Sequence, residues 1–170
     1  VIGLVTSTDT VALAAVPCRK PACGLLGRDF NQQRQCREIS VRPDPVEVLP
    51  GVHTTGEVGS SIVEQALVVE TGAGLVVVTG CAHPGIEKIA ERAKQILPKE
   101  ILLIAGGFHL RDKSENEIRA VSESLKNTGV MYAAPSHCSG AKAFEIFREA
   151  YGDHYINSGA GKVIPCAGLK

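Results

Sequence analysis

The sequence predicts an α/β fold, and three observations carry that expectation. Short β-branched runs alternate with segments of helical period from Gly51 onward, glycine- and proline-rich turns separate them, and three of the five histidines fall just beyond apolar runs. Residues 1–49 are harder to order. A strand is expected over residues 4–15, followed by irregular chain, because Pro43 and Pro45 each remove a backbone donor and restrict the residue before them. The chain is therefore divided into a divergent leader, residues 1–49, and an α/β unit, residues 50–170. Residues 62–70 (IVEQALVVE) read as a strand, 71–74 (TGAG) as a turn, and 75–79 (LVVVT) as a second strand, apolar enough to be buried on both faces. The pair forms a hairpin. Apolar positions 86, 89, 90, 93, 96 and 97 trace a helical stripe that Pro98 stops. Residues 101–105 are a third strand. Ser114 with Glu117 three residues on is a capping box that opens a helix to Asn127. Residues 130–134 are a fourth strand, 141–151 an amphipathic helix closed by Gly152, and 163–165 a short strand.

Composition narrows the function classes. The 170 residues carry 18 basic and 18 acidic side chains, so no bulk charge draws the chain to phosphate backbones or acidic membranes. Aromatic residues make up 4% and tryptophan is absent, which disfavours a stacking platform for bases. Nucleic acid is excluded as the expected partner. The longest apolar runs fall short of the ~20 residues that a membrane helix needs, and no basic segment precedes the apolar start. A cytoplasmic protein without a membrane partner is expected. The six cysteines do not resemble a secreted disulfide framework. Cys18 and Cys23 could begin a zinc hairpin, but no second pair has matching spacing, so these two and Cys36 are read as free thiols. Cys81 and Cys138 are read as two small buried side chains, with metal contact or a disulfide across loops as the alternatives.

The histidines are the most informative residues. His83, His109 and His137 each follow an apolar run and a small-residue turn, and each precedes a helical segment. Strand-to-helix loops of such folds gather on one sheet edge, where ligands bind. Three imidazoles there could converge on one metal ion. His53 and His154 lack this placement and read as structural or exposed, although the turn-rich segment around His53 could reach the same edge.

Three motifs then point to a family. Thr79-Gly-Cys-Ala-His-Pro-Gly-Ile86, Ile104-Ala-Gly-Gly-Phe-His-Leu110 and Pro135-Ser-His-Cys-Ser-Gly140, in this order, resemble the later part of the metallo-β-lactamase fold superfamily. The resemblance is to the branch of dihydropterin ribofuranosylaminobenzene-phosphate synthase-like proteins, and it extends over residues 50–170. It implies a half or partial αββα sandwich, a mixed sheet with helices on one face. It also implies a divalent metal, zinc first and manganese or iron as alternatives. By the resemblance His83 is a ligand of one metal and His137 of a second. His109 is a metal or substrate-phosphate contact, with Asp112 the nearest acidic alternative. Ser139, Gly140, Gly159 and Gly161 are expected beside a substrate phosphate.

The family's His-x-His-x-Asp-His motif is missing, and His53 is the only histidine upstream of His83. Holding an ion that activates water takes about three protein ligands. The expectation is therefore a metal-dependent hydrolase relative, truncated or rearranged, with a weakened or lost dinuclear site. The alternative is a non-catalytic, dimerising α/β module that binds a metal or a small phosphate-containing ligand. A half-sandwich would leave an apolar sheet face open, so a homodimer through that face is expected.

Overall fold

Backbone pairing follows the β-branched runs closely enough to build one principal sheet. The structure, a computed structural model, describes residues 43–169 together with the backbone of two earlier strands, β1 (Ile2–Ser7) and β2 (Thr10–Ala15), paired antiparallel. One strand had been expected over residues 4–15. Two form, Ser7 pairing with Thr10, and in the sequence a polar run separates their apolar stretches. The remaining expectations for the leader, including Cys18, Cys23 and Cys36, lie outside the described residues.

The principal sheet contains β3 (Glu47–Leu49), β4 (Val52–Thr54), β5 (Leu67–Thr71), β6 (Gly74–Val78), β7 (Ile101–Gly107) and β8 (Val130–Ser136), side by side in chain order. The pairs from β3 to β6 are antiparallel, and β6, β7 and β8 run parallel. Parallel neighbours need a crossover. Helix α1 (Ile86–Ile96) links β6 to β7 and α2 (Glu115–Asn127) links β7 to β8, while α3 (Ala141–Tyr151) follows β8. All three helices bury their apolar stripes against one face: Ile86 and Ile89 from α1, Ile118 and Leu125 from α2, and Ile146 and Phe147 from α3. Leu75, Val77, Ile101, Ile104 and Ala133 meet them from the sheet. The expected mixed sheet with helices on one face is what forms.

Val69, Val76, Val78, Leu103, Ala105 and Ala134 occupy the opposite face and are buried as well. Ile164 and Cys166 of the C-terminal segment pack into this second cluster. Leu102 and Leu103 belong to it together because β7 carries one extra residue where it passes the Leu75–Val76 step of β6.

Three expectations are corrected. Strand β5 starts at Leu67 rather than at residue 62, since Glu64 and Gln65 break the apolar alternation and Glu64 pairs instead with Val58 in an isolated bridge. Ile62 and Val63 are consequently 52% and 45% exposed. Residues 163–165 form no strand; Pro165 has no N–H to donate, and the chain turns in a 3-10 helix at Cys166–Gly168. Finally, β3 and β4 were missed because three residues each are too few for a period to show.

Candidate metal centre

Parallel register decides where the three histidine loops go. Val78, Ala105 and Ala134 lie abreast across β6, β7 and β8, so the residues beyond them leave the sheet together. The loops are joined by three hydrogen bonds. Gly107 N–H donates to the Gly80 carbonyl at 2.8 Å, Phe108 N–H to Ser139 Oγ at 3.1 Å, and the Cys138 thiol to the Cys81 carbonyl at 3.6 Å. Each loop is thereby tied to both others.

Close approach depends on two glycines of β7. A Cβ on Gly106, at φ +135°, would come within 2.2 Å of the Thr79 carbonyl oxygen. One on Gly107 would lie 2.6 Å from the Gly80 carbonyl oxygen and 2.8 Å from Cys138 Sγ. Strain collects at the same edge. The three non-glycine residues with positive φ among those described are Ala82, His109 and His137, one in each loop. Such conformations persist where the surrounding structure over-determines them, and they cluster at functional sites.

The histidines occupy this edge in two groups. The rings of His83 and His109 lie side by side with centroids 4.2 Å apart. Nδ1 of His83 bonds the Glu64 carboxylate, which also accepts the His83 backbone N–H at 3.2 Å. That leaves Nε2 of His83 as the nitrogen free to ligate, the arrangement of a metal-binding histidine oriented by a carboxylate behind it. Residue 64 gave no local signal in the sequence; it lies 19 positions from His83 and fell inside an expected strand. His137 belongs to the second group, in which its ring nitrogen and the Sγ atoms of Cys81 and Cys138 all lie within 4.8 Å of one another. The two thiols are half-buried rather than fully buried as expected, since Cys81 lines the wall of an open cleft and Cys138 lies beside it. Partial burial first, then Cys138 and the Glu64 carboxylate, push the Cys81 thiol pKa above its ordinary value.

The remaining candidates are placed less uniformly. Ser139 is buried, and its hydroxyl accepts from Phe108 N–H and donates to the Ser136 carbonyl at 2.7 Å, so it holds two loops together. Gly140, at φ +85°, begins α3 against Arg111. Gly159 lines a cleft of about 580 Å³ together with Thr79, Gly80, Cys81, His137 and Lys162. The buried Thr79 hydroxyl in its wall has no hydrogen-bond partner among the described residues. Gly161 lies in the adjoining turn, at φ +81°, and Asp112 is exposed. His53 pairs through Nε2 with Glu70 at 2.9 Å on the neighbouring strand, and His154 stacks on Tyr132, so both serve the fold. Imidazole and thiol donors at one edge suit a zinc-class ion and do not suit magnesium or calcium.

No family model matches the chain. It is 28% identical over 148 residues to the 7,8-dihydropterin-6-methyl-4-(β-D-ribofuranosyl)-aminobenzene-5′-phosphate synthase of Methanocaldococcus jannaschii, covering 71% of this chain and 50% of the synthase. An uncharacterized protein of the same organism, MJ0448, is 30% identical over 89 residues, which are 52% of this chain and 33% of that protein. Among solved structures, Tm1679, a metal-dependent hydrolase of the β-lactamase superfamily, superposes with a TM-score of 0.62 at 29% identity. That match covers 71% of this chain and 55% of Tm1679. The chain thus spans about half the length of the synthase and of the hydrolase it matches. Sheet order, the three loop motifs and both likenesses agree in one direction: this chain is similar in sequence to the dihydropterin ribofuranosylaminobenzene-phosphate synthase and in fold to a metal-dependent hydrolase of the β-lactamase superfamily.

Proposed function

We propose that the chain is a metal-dependent hydrolase relative that contributes His83, His137 and His109 to a divalent-metal site, with zinc as the first choice of ion. The observation that supports this reading is the common sheet edge of the three histidine loops at the ends of β6, β7 and β8, with His83 and His109 side by side and His83 oriented by Glu64. A divalent ion held there supplies polarisation of a scissile bond and a water of lowered pKa. The chain's own residues bind and orient. Gly159 and Lys162 line the cleft and offer a backbone donor and a cation to a phosphate-bearing small molecule, with Gly161 in the adjoining turn and Gly140 at the start of α3 outside the lining. A cleft of about 580 Å³ is of the size that takes such ligands.

The second reading is a binding module without catalysis, and one observation favours it. His53, the only upstream histidine, is held by Glu70 on the antiparallel side of the sheet and brings no ligand to the edge. A two-copy assembly and a cytoplasmic setting belong to the same proposal. The assembly rests on the sandwich architecture of the fold alone, because Val76 and Leu103 are already buried within the chain, with Ile164 and Cys166 in the same cluster. Metal analysis of freshly purified protein, combined with a light-scattering mass, tests the metal site and the assembly. Expected is bound divalent metal whose content His83→Ala and His137→Ala each lower. Metal content unchanged in both variants would refute the assigned ligands, a metal-free chain that takes up neither zinc nor manganese would leave only the binding module, and a monomeric mass would remove the assembly.

A further inference from the structure

We propose that Cys81, Cys138 and His137 form a distinct thiolate site for a soft divalent ion of the zinc class. The family resemblance assigns histidines, and the two thiols play no part in it. Their positions come from separate loops, 57 residues apart in sequence. The three donor atoms nonetheless lie within 4.8 Å of one another, a spread that small side-chain rotations convert into the edges of a tetrahedron around one ion.

Three features of the local structure serve this grouping. Gly107 stands where any Cβ would collide with Cys138 Sγ at 2.8 Å and crowd Cys81 Cα at 3.2 Å, so the approach of the thiols depends on a bare backbone. His137, in a left-handed backbone conformation, is the residue before Cys138, so one loop carries two of the three donors. Access is retained: the thiols are half-buried, His137 is exposed, and both Cys81 and His137 line the 580 Å³ cleft. Two thiolates and one imidazole leave a fourth position for water or a ligand from the cleft. Binding is balanced by release of the two thiol protons to solvent, with no change of oxidation state. This site and the histidine site proposed above share His137 but differ in every other donor, so the failure of one does not decide the other.

Cobalt(II) titrated into the reduced full chain reads the thiolates directly, through sulfur-to-cobalt charge-transfer absorption in the near ultraviolet that imidazole ligands do not give. One equivalent is expected to develop the band. Cys81→Ser and Cys138→Ser should each weaken binding by at least about tenfold and diminish the band. Cys166→Ser, and a chain with Cys18, Cys23 and Cys36 all changed to Ser, should keep it, as should His83→Ala. Cobalt that binds without the band, a band that survives both Cys81→Ser and Cys138→Ser, or no uptake at all would overturn the proposal. Should the serine variants not fold, the unaltered chain still decides. Zinc alone should slow iodoacetamide alkylation of Cys81 and Cys138, located by mass spectrometry, and equal alkylation with and without zinc would overturn the proposal.

Discussion

Ser139, which reads as a substrate contact in sequence, also has a structural duty. Its hydroxyl answers the Phe108 N–H, and Phe108 itself is buried in the helix-side core. Ser139→Ala removes the acceptor without admitting water, so the chain should lose about 1–3 kcal/mol in urea unfolding. Glu64 is the converse case, unremarked in sequence and central in the structure. It grips the His83 ring and the His83 backbone together, a pairing across 19 residues that no local pattern encodes. Glu64→Gln should leave the fold intact and weaken divalent-metal binding at His83 by about ten- to a hundredfold, measured by competition with a chromophoric chelator. Unchanged affinity would mean that Glu64 only pins the loop.

The elements of the helical side were legible because each repeats its signal several times. Helix α2 begins where Ser114 and Glu117 announced it, and both halves of the capping box are formed. Bonds from the Ser114 backbone N–H, from its hydroxyl and from Lys113 hold Glu117 down to about 2, from an ordinary 4.5. A depressed carboxyl pKa contributes stability above the unfolded value and loses it as pH falls through the folded one. Ser114→Ala, which removes the N-cap acceptor for the Glu117 N–H, should destabilise the helix by about 1 kcal/mol. The gap from the parent should narrow between pH 4.5 and pH 2, followed by urea unfolding across that range. A gap that stays constant with pH would show that the Glu117 half of the box adds nothing. The β side was less legible. β3 and β4 have three residues apiece, and Ile62 and Val63 imitate a strand while remaining exposed. Their place is set by tertiary pairing, through the Val58 and Glu64 bridge and the β4–β5 register, rather than by local preference. The histidine loops were legible as loops because a small-residue turn follows each apolar run. Their hydrogen-bonded union was not, since it depends on which strands become neighbours.

At the scale of the whole molecule the question is what covers the sheet face away from the helices. Sequence reasoning assigned that face to a second copy, since the superfamily's sandwich packs one sheet on another. Within this chain part of the cover is the C-terminal segment, and neighbouring residues of it differ sharply: Ile164 is 5% exposed and Val163 is 57% exposed. The contrast provides a matched pair of substitutions. Ile164→Asp must either bury a carboxylate among Val76, Leu103 and Cys166 or lift the segment from the sheet. Burial of an unpaired charge is the costlier course, so lifting is expected. The uncovered aliphatic face should then bind an apolar dye and drive self-association, seen as a larger light-scattering mass. Val163→Asp adds the same charge one position away, on a side chain already in water, and should leave dye binding, mass and urea midpoint at the parent values. If the two variants behave alike, the segment is not seated on the sheet, and the cover of Val76 and Leu103 must come from elsewhere, a second copy included.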